Sequence, residues 1–337
     1  MLTRRSFITN TGATLAQIGI AGALSSTNRK KTLATFDLHC HPRSLATFKN
    51  ILENHLQGAF IALVADLPLL RRTETGIVPD GKFQPGEAWA EFEAQWNQYQ
   101  SYFSQTGIIP VSSWKAFSQS RSRGNFAPFL ACEGADFLDG SLENLDRAYT
   151  MGLRSVQLVH YVPNALGDLQ TFAPQHNGLS AFGKSAVQRM NELGMVIDVA
   201  HASYDTVKGV VDTSSDPVIL SHSILKKPPF SPISARALTE DHARIIAQHG
   251  GVIGMWPSGL SNDLDEFADS TLRMIDLVGI NHVGIGTDMD ANYKPVIKNY
   301  DDFYSWSDLL AEKGLQQEEI NKLTGGNALR VLKKVLG

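Results

Sequence analysis

A chain of 337 residues, 43% hydrophobic and 19% charged, is long enough to bury one large core or two smaller ones, and its composition is that of an ordinary globular protein. A formal net charge of -4, with no long run of Lys or Arg, removes the electrostatic case for a nucleic-acid partner. Two cysteines exclude a disulfide scaffold.

The N-terminal segment contains Arg4-Arg5-Ser6-Phe7-Ile8, then a weakly apolar stretch through Ala23 and a polar segment. This pattern reads as a twin-arginine export signal over residues 1–23 with a linker over 24–33, the alternative being a disordered basic tail. The apolar stretch is too short and too rich in Gly and Thr for a comfortable span, so no stable transmembrane segment is expected. Export by this route leads to the periplasm. No cysteine follows the signal, which argues against a lipid anchor.

Eight runs then read as strands, at 34–41, 59–66, 127–133, 154–160, 195–199, 217–222, 251–256 and 282–288. Most are almost continuously apolar, as strands buried on both faces are. Helical periodicity is clear at 142–151, 180–193, 239–248 and 265–278. Ser141 and Gly152 mark the start and stop of the first of these helices, Ser180 and Gly194 those of the second. Strand and helix alternating in this way predict a single α/β domain over 34–337, a (β/α)8 TIM-type barrel. The interval 67–126 is an insertion with a polar stretch, a helix over 87–102 and the run Gly107-Ile-Ile-Pro-Val-Ser112. It reads either as solvated decoration or as a segment overhanging the site. Residues 292–305 read as a loop, and the C-terminus as two amphipathic helices parted around Gly325-Gly326.

The strand runs end on side chains that bind metals. His39 and His41 close Asp37-Leu-His-Cys-His-Pro42, and period-two alternation puts both imidazoles on one face. Glu133, His160, His201 and His222 end later runs, and such endings deliver residues to one rim of a barrel. Glu133 follows Phe129-Leu-Ala-Cys132 with no local cation, and an unpaired buried carboxylate is costly unless a metal neutralises it. His39, His41, His201 and His222 with Glu133 are more ligands than one catalytic zinc needs. They divide into two sites sharing Glu133, which predicts two divalent metal ions at the C-terminal ends of the strands and hydrolysis by metal-hydroxide attack. No Gly-x-Ser-x-Gly elbow or Walker-type loop supports a nucleophilic-residue or nucleotide reading. Cys40 and Cys132, beside ligands, are expected to point outward as packing thiols. His55, His176, His242, His249 and His282 are expected to be surface or packing residues.

Cys132-Glu-Gly134, Gly152-Leu-Arg-Ser-Val-Gln-Leu-Val-His160 with Asn164, and Gly194-Met-Val-Ile-Asp-Val-Ala-His-Ala-Ser203 are similar to motifs of the membrane (renal) dipeptidases. So are Pro217-Val-Ile-Leu-Ser-His-Ser223, His282-Val-Gly-Ile-Gly-Thr-Asp-Met-Asp290 and Gly325-Gly-Asn-Ala-Leu-Arg330, and the likeness runs from Asp37 to the C-terminus. The resemblance implies a zinc enzyme on a (β/α)8 barrel in which His39, His41 and Glu133 hold one zinc and Glu133, His201 and His222 the other. It further implies that His160 steadies the oxyanion, that Asp288 relays a proton to the leaving amine, and that Arg236 clamps the substrate carboxylate. Two departures stand out: the family usually has Asp where His41 stands, and an Arg-Asn pair where this chain has Arg236-Ala237. The expectation is therefore an exported dizinc dipeptidase acting on a small dipeptide. The alternatives are a related amidohydrolase acting on N-acyl amino acids or lactams, and a non-catalytic metal-binding periplasmic protein. The oligomeric state stays open, a homodimer included.

Overall fold

The eight apolar runs become parallel strands in a computed structural model that describes residues 33–73 and 76–337. The expected export signal, and all of the linker but its last residue, lie outside the described residues. In chain order the strands are β1 (Phe36–Cys40), β2 (Gly58–Val64), β3 (Leu70–Thr73), β4 (Gly76–Pro79), β5 (Phe129–Glu133), β6 (Leu153–Gln157), β7 (Val196–Asp198), β8 (Ile219–Ser223), β9 (Val252–Met255) and β10 (Val283–Ile285). β3 and β4 form a separate antiparallel hairpin; the others follow one another as β1-β2-β5-β6-β7-β8-β9-β10. A parallel bridge from Cys40 to Met289 joins the two ends, with Asp288 N donating to His39 O at 2.8 Å and His41 N to Met289 O at 2.9 Å. The fold is the predicted (β/α)8 barrel.

Helix signals in the sequence act where they stand. Ser141 Oγ accepts from Glu143 N to start the helix Leu142–Met151, and Gly152, at φ 110°, ends it. Ser180 and Gly194 do the same for Ala181–Leu193. The barrel interior is filled from below by Phe36, Phe60 and Phe129, whose ring centroids lie 5.4 to 6.4 Å apart, together with Val196, Ile219 and Val252. Val331, Leu332 and Val335 of the C-terminal helix Asn327–Leu336 pack under them and plug that end. Each such ring contributes about 1.5–3 kcal/mol by burial, and the polar site is left to the opposite mouth. The turn that leads into the C-terminal helix approaches β1 so closely that a Cβ on Gly325 would sit 2.7 Å from Phe36 N, so only glycine fits there.

Of three register shifts among the described residues of the barrel, those in β1 and β8 set which way its metal-binding histidines face. β1 carries an extra residue between Asp37 and Cys40 against Ala59 and Ile61 of β2, and β8 one between Leu220 and Ser223 against Ile253 and Met255. Phe36 and Leu38 already face the core, so strict alternation would turn His39 outward; the bulge resets the phase and presents His39 and His41 together. Cys40, between them, faces the outer shell, and Cys132 does likewise; both are free thiols.

Residues 292–305 are not all loop. The helix Tyr300–Glu312 starts within them, capped by Asn299, whose side chain accepts from Asp301 N and Asp302 N. Its apolar stripe, Tyr300, Phe303, Tyr304 and Leu310, is interrupted by Asp and Ser, which hides the periodicity. The expected C-terminal pair, Gln317–Asn321 and Asn327–Leu336, is parted where expected: the wide turn Lys322–Gly326 between them is kinked at Gly325, whose φ 176° and ψ -27° are not helical. In the insertion, Glu87–Thr106 packs Trp89, Phe92, Tyr99 and Phe103 on the barrel exterior, and Gln95 bonds both N and O of Val64 at 2.8 Å. The β3–β4 hairpin instead reaches over the mouth. Among the described residues, no helix is long and apolar enough to cross a membrane.

Candidate metal centre

Glu133, at the last position of β5, is the hub of the site. Its Oε1 lies 3.1 Å from His201 Nε2, 3.4 Å from His39 Nε2 and 3.5 Å from His222 Nε2, and its Oε2 lies 3.2 Å from His41 Nε2. The paired imidazoles are close as well, His39 and His41 at 2.9 Å and His201 and His222 at 3.2 Å between Nε2 atoms. Two buried groups result, His39 with His41 and Glu133, and Glu133 with His201 and His222, each with ligand atoms within 4.8 Å of one another.

The opposite ring nitrogens explain why the Nε2 atoms converge. His41 Nδ1 donates to Ala62 O at 2.8 Å, which leaves an Nε2 lone pair facing the hub. Ser221 Oγ lies 3.0 Å from His222 Nδ1 and 3.3 Å from His39 Nδ1 and so braces one ring from each group. Asp198 holds Ser221 in turn, accepting from its backbone N at 3.0 Å. Asp37 accepts from His39 N, Thr287 N and Tyr300 Oη, tying β1 to the end of β10. His201 and Asp288 take left-handed backbone conformations, φ 65° and 53°, which cost about 1 kcal/mol or more each and persist where function demands them.

The electrostatics fit cations. Burial pushes the Glu133 carboxyl up, but His160 and His39 outweigh it and hold it well below the usual carboxylate range. Burial pulls His39 down, yet the Glu133 carboxylate carries it up to about 9, while burial drives His201 and His222 well below their ordinary value. One carboxylate thus gathers positive charge from some of its imidazoles and leaves others as bare lone pairs. His201 Nδ1 has no hydrogen-bond partner. A buried set of four imidazole nitrogens around a shared carboxylate suits two borderline divalent ions such as zinc.

Three further predicted residues meet the same space. Asp288, just beyond β10, has Oδ1 3.4 Å from His41 Nε2 and accepts from Trp256 Nε1 at 3.1 Å with Oδ2. His160 turns Nε2 to within 3.4 Å of Glu133 Oε1 without belonging to either ligand group. Arg236 is 2% exposed, far from the surface position open to a helix-end arginine; Nη1 donates to Gln170 Oε1 at 2.7 Å and Nη2 to His222 Nε2 at 3.3 Å. Its Nε is buried without a partner, so the guanidinium lacks a full anionic complement. Above them opens a cavity of about 510 Å3, within the range of small-ligand sites.

Sequence reasoning missed the residues behind these. Asp66 accepts from His160 Nδ1 at 2.6 Å with one oxygen and from Tyr161 N and Val162 N with the other, fixing the ring so that Nε2 faces the site. The signal was present, because the run 59–66 ends on that carboxylate just as the others end on ligands. Trp256, which ends the seventh run, orients Asp288, and neither Ser221 nor Gln170 carries any pattern that marks it. The remaining histidines join neither ligand group: His176, His249 and His282 bond backbone carbonyls, and His242 is buried.

Known proteins resemble the chain in sequence and in fold. The chain is 31% identical over 240 residues to dipeptidase aclJ of Aspergillus oryzae, covering 67% of this chain and 56% of that protein. It spans between 52% and 61% of the length of the curated relatives it matches first. In fold it is similar to an amidohydrolase from Pseudomonas aeruginosa, TM-score 0.76 at 19% identity over 92% of this chain and 99% of that one. It is equally similar to a metallo peptidase from Rhodobacter sphaeroides liganded with a phosphinate mimic of the dipeptide L-Ala-D-Ala, TM-score 0.76 at 18% identity over 90% and 99%. The family described as membrane dipeptidase, peptidase family M19, matches residues 20–336, and the chain belongs to that family.

Proposed function

We propose that the protein is an exported dizinc dipeptidase that hydrolyses the peptide bond of small dipeptides. The observation that carries this reading is the pair of buried His/Glu groups sharing Glu133, with Asp288 and a buried, incompletely paired Arg236 on one cavity. Relatives named as dipeptidases, and a fold neighbour liganded with a dipeptide mimic, support the substrate class. The two groups support two ions. When bound, these supply Lewis-acid polarisation of the scissile carbonyl and lower the pKa of water near neutrality.

The chain's own side chains do the rest. Arg236 receives the substrate's free carboxylate, which completes its hydrogen bonding and fixes one end of the dipeptide. His160, held through Nδ1 by Asp66 and kept protonated by the Asp66 and Glu133 carboxylates against the cost of burial, donates from Nε2 to the oxygen that gains charge as the carbonyl carbon becomes tetrahedral. Asp288 takes a proton from the attacking water and returns it to the amide nitrogen as the C–N bond breaks, giving two amino acids. Burial raises the Asp288 carboxyl against the pull of His41, which suits a group that must both accept and give a proton.

Metal content of the purified protein, measured beside hydrolysis of dipeptides and of N-acyl amino acids, tests the reading. It expects two divalent ions per chain and turnover of dipeptides that a chelator removes. Turnover of N-acyl amino acids alone would replace it with the amidohydrolase alternative. The Arg4-Arg5 segment supports twin-arginine export to the periplasm; changing both to Lys is expected to retain the protein in the cytoplasm.

A further inference from the structure

The β3–β4 hairpin places an arginine where the proposed chemistry has no use for one. Arg71 pairs across the hairpin with Val78, and its guanidinium meets Asp80 at 3.0 Å on the outer face. Arg72 pairs with Ile77, and alternation turns both to the other face, where they line the cavity with Leu70. Arg43, just beyond β1, lines the same wall. Among the described residues neither Arg72 nor Arg43 has a carboxylate partner for its guanidinium. Among the described residues the lining holds two carboxylates, Glu133 and Asp288, and both are committed to the floor of the site. Three guanidiniums therefore face two carboxylates that are already engaged, and Arg236 alone accounts for one substrate anion.

Position in the ring says which end of the substrate meets the other two. Arg236 follows β8 and the hairpin follows β2, four places apart in a ring of eight strands and so on opposite sides of the mouth. A dipeptide whose C-terminal carboxylate lies on Arg236 extends its N-terminal residue toward Arg72 and Arg43. The geometry points to a substrate whose N-terminal residue carries an acidic side chain, aspartyl or glutamyl, recognised by Arg72 with Arg43. The inference rests on the dipeptidase reading.

The test uses metal-loaded protein and compares kcat/KM for Glu-Ala and Asp-Ala with the near-isosteric Gln-Ala and Asn-Ala, and with the reversed Ala-Glu. The acidic member is expected to lead its amide counterpart by at least about tenfold, a margin that shrinks as salt rises because the arginines are exposed. Arg72→Gln should reduce the acid-to-amide ratio by about fivefold or more, while Arg71→Gln, on the outer face, leaves it as it is. Equal rates for acid and amide, a preference for Ala-Glu over Glu-Ala, or a preference that survives Arg72→Gln combined with Arg43→Gln would each overturn the inference and leave the dipeptidase standing. Hydrolysis of no member of the panel would instead overturn the dipeptidase reading itself.

Discussion

Asp288 and Asp136 are both buried carboxyl groups beside the site, and their surroundings assign them different work. Asp288 is held by Trp256 on one oxygen and faces His41 with the other. Asp288→Asn keeps the shape and the Trp256 contact but cannot carry a proton. It should lower kcat by about 100-fold or more while metal content stays at the wild-type level, measured on the same sample. Retained turnover would remove Asp288 from the mechanism. Asp136 has a buried Oδ2 with no partner, and burial, reinforced by the nearby Asp66 carboxylate, pushes its pKa up to about 7 from an ordinary 3.8. Between those values the folded state keeps a proton that the unfolded chain has lost, so stability declines as pH rises through that window. Asp136→Asn abolishes the decline: its Tm gain over wild type should be near zero at pH 4 and clear at pH 8. A gain independent of pH would show that Asp136 ionises normally. Of these residues the sequence revealed those that end apolar runs, Asp288 among them. Asp136 lies in a short turn that carries no periodic signal, and the Asp66 carboxylate that adds to the effect of its burial is distant in sequence.

Bulges and a hairpin decide how the elements present those residues. All eight barrel strands were legible because burial on both faces writes itself as continuous apolar runs. The bulges in β1 and β8 were not legible, because in strands of five residues one extra residue leaves no pattern in residue type to mark it, and the phase of His39 and His222 depends on them. The β3–β4 hairpin was hidden for a different reason: its strands are short, half-exposed and rich in Arg, so neither alternation nor hydrophobicity marks them. The hairpin walls the cavity with Arg72, Thr73, Gly76 and Ile77 while burying little of itself. Replacing residues 70–79 by a short Gly-Ser loop should therefore change Tm by only about 2–4 °C while raising KM for a dipeptide by about tenfold. An unchanged KM would reduce the hairpin to surface decoration.

At the scale of the whole molecule, the two ligand groups clamp the ends of four strand segments, β1, β5, β7 and β8, to a single carboxylate. The lower half of the barrel needs no such clamp, because Phe36, Phe60, Phe129 and the C-terminal helix fill it with apolar side chains. That division was readable in advance only in part. Apolar runs and H-x-H spacing announced a barrel with a polar rim, but the partner of each ring's far nitrogen is set by tertiary contacts such as Ser221 between His39 and His222. Without cations, the mouth is left with Glu133 balanced only by protons on its imidazoles. Ions bound at about 100 to 1,000 times their Kd add about 2.7–4.1 kcal/mol to folding, so chelation should lower Tm by about 5–10 °C. The ligands must be deprotonated to bind, and binding releases their protons, so the metal's contribution must shrink as pH falls. Scanning calorimetry of metal-loaded and chelated protein at pH 8 and pH 5 measures this. The gap between the two forms should be wide at pH 8 and narrow at pH 5, and a gap that held constant or widened toward pH 5 would be incompatible with imidazole ligation at the mouth of this barrel.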